Sequence, residues 1–255
     1  MRRRAFTLIE LMTVVAILAV LYAILMPVVV QVKSFAEQWV AGDAIAKLGQ
    51  STTMYMMDSD ETYPVAYYQL DGGQRQNWFG VCGKDGNVDP KTNLLYPYIK
   101  GKIQSDYALI AKPWEGDDTG YGYNWGYLGS DYYLPNRFSS GVGAQNPASE
   151  SAVGDTSSTV EFATSSFYYA TWLPKGDGLT YRYDYIDPPR VWFGNPTVDF
   201  RHMAIKTIDK KKREVDSTGV ALVLFTDGHV RPLHQKEVTD QMFERDNGLG
   251  PTIEP

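Results

Sequence analysis

Apolar residues run almost unbroken through Phe6–Val30, FTLIELMTVVAILAVLYAILMPVVV, where only Thr7, Glu10 and Thr13 are clearly polar. These 25 residues exceed the ~20 that carry a helix across a ~30 Å hydrocarbon core. The pattern then changes. Val32, Phe35, Ala36, Trp39, Val40, Ile45, Ala46 and Leu48 recur at roughly helical spacing among polar residues, the signature of an amphipathic helix. The chain therefore predicts one long helix from about 6 to 58, transmembrane over 6–30 and packed on a soluble domain over 31–58. Pro27 removes one backbone hydrogen bond and bends the first half. Gly42 and Gly49 are soft spots, and two helices hinged near Gly42 are the alternative.

Beyond the helix the periods shorten. Met57-Asp58-Ser59-Asp60-Glu61-Thr62-Tyr63-Pro64 ends it, because the residue before a proline favours extended backbone. Turn signals at Asp71-Gly72-Gly73, Gly83–Asn87 and Gly116–Gly120 break up an irregular stretch, with Leu94–Ile99 as a short helix or buried turn. Tyr121–Leu128 alternates glycine with aromatics. It reads as a strand whose glycines allow close approach to the helix, or alternatively as an exposed stacking platform for sugars or peptides. Residues 139–158 form a small, polar surface loop, and Thr159–Ser165, Phe167–Leu173 and Thr180–Ile186 are β-rich runs. Val220–Thr226 is a continuous apolar strand, turned by the two residues Asp227-Gly228 into His229–Leu233. The fold class is α+β: a long N-terminal helix on an antiparallel β-sheet domain with long loops, occupying 59–255.

Charge refines this. The net charge is −6, and removing Arg2–Arg4 leaves 21 basic against 30 acidic residues, a net of −9. An acidic exterior argues against nucleic acid as a partner. Arg2–Arg4 stand directly before the apolar stretch, which places the N-terminus on the cytoplasmic side. A secretory signal peptide begins the same way, but its apolar region spans only ~7–15 residues before a small-residue cut. Pro27-Val28-Val29 is a poor site of that kind. The single cysteine, Cys82, excludes an intramolecular disulfide.

Candidate chemistry is sparse. Glu10 is a carboxylate inside an apolar helix, either snorkelling at the interface or awaiting a cationic partner. Asp58, Asp60 and Glu61 are candidate calcium ligands or a solvated turn. The sixth and twelfth positions counted from Asp58 are Tyr63 and Gln69, so no EF-hand is present. His202, Asp227, His229 and His234 contain the residue types of a zinc or iron site. However, His229 and His234 lie five apart on an extended strand and face opposite sides. No nucleotide loop, HExxH or GxSxG motif occurs, and the expectation is that the chain is not an enzyme.

Arg4-Ala5-Phe6-Thr7-Leu8-Ile9-Glu10 resembles the leader junction of type IV pilins and type II secretion pseudopilins. That resemblance implies a five-residue leader, removal of 1–5 by a prepilin peptidase, methylation of the new amine on Phe6, and a role for Glu10 in registering subunits within a filament. Pro27 stands where many such proteins carry a kinking proline. Ala5 departs from the usual glycine before the cut. The acidic turn followed by Pro64 resembles a DxDExxP stretch of pilin-like proteins. Phe225–Val230 resembles the C-terminal signature of the prepilin-type H-X9-DG domain. In that group an Arg-His pair lies close before the Asp-Gly. Here 24 residues separate His202 from Asp227, including the charged insert Lys206–Asp216, which suggests an exposed hairpin and no fixed geometry between the two. The implied partners are the peptidase, copies of the chain, other pilin-like subunits and an inner-membrane assembly platform. The implied location is the bacterial inner membrane, single-pass, then a periplasmic or cell-surface filament. The competing expectation is an uncleaved, membrane-anchored binding protein for glycans or peptides.

Overall fold

The computed structural model describes residues 7–83, 87–99, 104–112, 119–134, 146–171, 173, 175–192, 194 and 197–245. Ala5 and Phe6, the junction of the leader, lie outside the described residues, as do 84–86 and 116–118 of the two turns and 139–145 of the 139–158 loop.

Helix α1 (Leu8–Asp58) runs unbroken through Pro27, Gly42 and Gly49. No hinge divides it. It stops because Asp60 and Glu61 both take left-handed backbone, φ 49° and 57°, while the Ser59 and Glu61 N–H groups return to the Met56 carbonyl. The reversal thus precedes Pro64, and the Tyr63 N–H then donates to the Ala148 carbonyl.

Twelve short strands follow among the described residues. β1 (Tyr67–Gln69), β2 (Arg75–Asn77), β3 (Gly80–Cys82) and β4 (Val88–Asp89) form one antiparallel meander. After the short helix α2 (Tyr96–Ile99) come β5 (Tyr121–Tyr123) and β6 (Val160–Thr164). β7 (Phe167–Tyr169) pairs with β8 (Leu179–Tyr181), and β9 (Lys206–Asp209) with β10 (Glu214–Ser217). β11 (Val220–Phe225) and β12 (Val230–His234) complete the central antiparallel sheet, ordered β12-β11-β6-β5.

Every residue of β11 is buried because the sheet is covered on both faces. Leu222 and Leu224 point to α1, where they meet Ile45 and Leu48. Ala221, Val223 and Phe225 point to a second layer that includes Ile186, Val198 and Phe200. This explains the run VALVLF, which lacks the alternation of a one-sided strand. Each large side chain so buried contributes about 1.5–3 kcal/mol. α1 comes close to β11 at Gly49, where a Cβ would lie 2.7 Å from Leu224 Cδ2.

Two expectations are corrected. The packed face of α1 begins only at Ala41. Val32, Phe35 and Trp39 are exposed, Trp39 by 80%; Leu222 and Leu224 of the sheet meet the helix further along, at Gly42 and Gly49. Second, the close approach at Gly122 is not to the helix. A Cβ there would meet the Tyr185 carbonyl oxygen at 2.4 Å, where residue 185 bridges β5 in parallel. Tyr121 and Tyr123 are fully buried and Tyr127 nearly so, so these rings form core and offer no stacking platform.

Because the obstacle at Gly122 is backbone, it cannot step aside. Gly122→Ala is expected to lower stability by about 2–3 kcal/mol or more, read as a fall in the thermal midpoint of the detergent-solubilised chain.

Candidate functional site

The N-terminal end of α1 is built by its own sequence. Thr7 is the N-cap: the Glu10 N–H donates to Thr7 Oγ1 at 3.4 Å. In return the Thr7 N–H and hydroxyl donate to Glu10 Oε2 at 2.9 and 2.8 Å. This reciprocal capping box satisfies donors that a helix start leaves open. Glu10 is thus held in place by Thr7, and its Oε1 bonds to no described residue. From Leu8 to Val32 the apolar side chains are exposed, Leu8 by 77%. α1 is long and apolar enough to cross a membrane, near the N-terminus of the chain. Lys33, just past the apolar run, pairs with Glu37 at 3.7 Å.

The acidic turn does not converge. Asp58 Oδ2 accepts from the Tyr98 hydroxyl at 2.9 Å, and the left-handed Asp60 and Glu61 are exposed. Among the described residues no group of three or more His, Cys, Asp and Glu side chains is placed to share one ion.

The Asp227-Gly228 hairpin differs from the two-residue turn expected. The Phe225 N–H donates to the His229 carbonyl and the Gly228 N–H to the Phe225 carbonyl, so the loop is Thr226–Gly228. Gly228 takes φ 91°. This is the type I turn plus left-handed glycine typical of three-residue hairpin loops. Asp227 Oδ1 accepts the His229 N–H at 3.1 Å and sits 2.6 Å from His229 Nδ1, and the ring stacks on Phe225. Desolvation pushes the Asp227 carboxyl up, but the His229 backbone and ring outweigh it and hold it below the ordinary value. The arrangement fixes a loop.

His202 is buried and bridges Val220, at the opposite end of β11 from Asp227. The two signature residues therefore have a fixed geometry, one strand-length apart. The neighbouring Arg201 lies 3.0 Å from Asp199 and 3.5 Å from Asp106, which also sits 3.3 Å from His202 Nε2. Burial pushes Asp199 up, but Arg201 and Lys206 hold it below the usual carboxylate range. His229 and His234 have separate partners, His234 Nδ1 lying 3.2 Å from the Gly219 carbonyl.

Asp187 and Glu161 are among the buried acids that went unnoticed in the sequence. Asp187 gathers four donors: Trp125 Nε1 at 2.6 Å and Tyr133 at 2.7 Å on Oδ1, Trp192 Nε1 at 2.9 Å and Tyr183 at 3.1 Å on Oδ2. No local spacing announces it. Glu161 lies on β6, 3% exposed, with Thr52 of α1 beside it. A lone acid in the apolar run Val160–Ala163 was its signal. Burial pushes its pKa up to about 8, with the Thr52 hydroxyl opposing. Beside the Asp187 hub, Tyr67, Arg75, Phe79, Trp125, Tyr183 and Tyr185 line an open cleft of about 230 Å³, with the Arg75 guanidinium 5.5 Å from the Tyr67 ring centre.

The family described as the prokaryotic N-terminal methylation motif matches residues 1–26. No curated protein matches the chain, and no solved structure does. The chain thus carries a prepilin-type processing motif ahead of a long apolar helix, the form of a prepilin peptidase substrate and of an inner-membrane anchor.

Glu161 gives a pH dependence. Its folded pKa exceeds the model-peptide value of 4.5, so between about pH 4.5 and 8 the folded state holds a proton that the unfolded state has lost. Stability falls as pH rises through that window. Glu161→Gln is expected to raise the thermal midpoint at pH 8 relative to wild type and to change it little at pH 4.5, since one pKa unit corresponds to about 1.4 kcal/mol.

Proposed function

We propose that this chain is a structural subunit of a type IV pilus-like or type II secretion pseudopilus-like filament, cut before Phe6 and assembled through α1. The observation that carries the reading is the junction of a matched methylation motif with an apolar helix face that the protein's own domain leaves uncovered from Leu8 to Trp39. An uncovered apolar face of that length has two stable surroundings: lipid, or other copies of itself. In lipid the domain stays at the outer surface. In a bundle of copies the same side chains pack against like neighbours, and the domains decorate the outside.

Glu10 supplies the register. The cut places a cationic amine at Phe6, and a carboxylate in an apolar bundle is stable only if paired. The Glu10 carboxylate, held by Thr7, accepts the amine of the next copy through its second oxygen. Pairing with the amine of its own chain is the intramolecular competitor, and packing of the apolar faces favours the intermolecular form. The β domain plays no catalytic part in this reading.

A second reading is favoured by the aromatic cleft at Tyr67, Trp125 and Tyr185. Half-exposed rings beside a guanidinium suit a glycan, whose ring faces stack on aromatics. In that role the chain is an uncleaved, membrane-anchored binding protein.

Coexpression with a prepilin peptidase and mass spectrometry of the N-terminus separate the two. A chain beginning at methylated Phe6 is expected, and one retaining Arg2–Ala5 would move the binding reading forward. Glu10→Ala is expected to insert in the membrane as wild type does and to yield no filaments; intact filaments from that variant would end the pairing argument. For the cleft, Tyr67→Ala is expected to weaken binding of an oligosaccharide in calorimetry tenfold or more, about 1.4 kcal/mol, with the thermal midpoint preserved.

A further inference from the structure

From the placement of the β9–β10 hairpin we infer a second membrane contact: its basic tip docks on anionic phospholipid headgroups of the leaflet through which α1 emerges. The inference rests on the reading of α1 as the membrane anchor and concerns a surface that the filament reading leaves unused.

The direction of the hairpin follows from the sheet. Along β11, Leu222 faces Gly42 and Leu224 faces Gly49, so the Val220 end of the strand points toward the membrane half of α1. β12 runs back along it, with His234 opposite Val220. The next residue, Gln235, donates to the Val215 carbonyl at 2.7 Å and accepts from the Ser217 N–H at 2.9 Å. β10 therefore continues the line of β11 beyond the membrane-side edge of the sheet. The base of the hairpin is fixed there by Lys206 on Asp199 at 2.5 Å and by Ser217 Oγ on the Phe200 carbonyl at 2.7 Å. Strands of four residues at about 3.3 Å each carry the tip roughly 13 Å further in that direction.

The distance to the lipid fits. The fully exposed apolar run of α1, Leu8–Val32, is roughly 38 Å long at about 1.5 Å per residue, enough to cross a ~30 Å hydrocarbon core and reach the headgroups. Exposed Phe35 and Trp39 suit the interfacial belt. Ala41, where the domain begins to cover the helix, lies roughly 13 Å further along α1 at about 1.5 Å per residue, so a hairpin of about that reach directed membrane-ward from that level meets the surface.

The chemistry of the hairpin fits as well. Over residues 203–218 there are five cations, Lys206 and Lys210–Arg213, against three anions, Asp209, Glu214 and Asp216, in a chain of net charge −6. Asp209, itself exposed, accepts the Lys211 and Lys212 N–H groups at 2.9 and 3.1 Å and shapes the turn, and Lys210–Arg213 at the tip are exposed. Met203, Ile205 and Ile208 are exposed by 51, 69 and 45%. Clustered basic residues are drawn to anionic headgroups, and neighbouring apolar side chains enter the interface.

The test uses the full chain with Ile208→Cys labelled by an environment-sensitive fluorophore. The unsubstituted chain, whose Cys82 is buried, serves as the labelling blank. The protein is reconstituted in vesicles of phosphatidylglycerol and, separately, of phosphatidylcholine. Expected are a blue shift in phosphatidylglycerol only, its loss in high salt, and its loss in Lys210→Glu/Lys211→Glu/Lys212→Glu. Equal emission in both lipids overturns the inference. So does a shift that follows the protein-to-lipid ratio in phosphatidylcholine, which would place the hairpin on an acidic neighbouring copy. A chain that fails to float with either vesicle removes the anchor reading, and the inference with it.

Discussion

Everything in this protein follows from a conflict within one helix. α1 carries a continuous apolar face, but its own domain covers only the part from Ala41 onward. The domain side of the contact is tight, with Gly49 against Leu224, Ile45 and Leu48 in the first core, and Tyr121 and Phe162 behind them. Among the described residues, nothing in the β domain covers the other part. A soluble monomer would leave a long apolar surface in water, an arrangement that folded proteins avoid. The helix therefore defines two environments for one molecule and fixes the boundary between them within a turn or two of Trp39.

Buried polar groups organise the β domain around that boundary. Its strands are short, and long connections separate them, so main-chain pairing alone leaves many segments loosely specified. Asp187 draws Trp125, Tyr133, Tyr183 and Trp192 onto one carboxyl group. Arg201 joins Asp106 and Asp199, and also donates to the Gly120 carbonyl. In a dry interior a polar group without partners is costly, so each hub selects a single arrangement of the loops that reach it. Glu161 differs from these hubs, since its burial is offset chiefly by staying protonated.

What the sequence made legible was what repeats or adjoins. The helix, the β6 strand and the β11–β12 hairpin stood out because apolar runs and turn residues are local signals. The exposed charged hairpin at 206–217 was visible in the same way. Hidden from it were contacts that depend on which distant segments meet. Gly122 looked like a glycine for a helix and instead admits the Tyr185 backbone. Val32, Phe35 and Trp39 shared the period of the packed face, and period alone cannot say where the sheet ends. The Asp227-Gly228 loop was correctly placed, yet its length depended on a bond from Phe225 to His229. At the N-terminus the motif was legible in a handful of residues, and the Thr7–Glu10 capping box supplied the geometry that a motif lacks.

That box separates shape from charge at the start of the chain. Its two members, Thr7 and Glu10, both lie downstream of Phe6, so the interaction that begins α1 belongs wholly to the segment a leader cut would leave behind. Excision there would alter the electrical character of the terminus, removing three guanidinium groups and moving the terminal amine from Met1 to Phe6, while the helix kept the same first turn. Maturation of such a chain would be a change of address written in charge alone, imposed on a helix already finished.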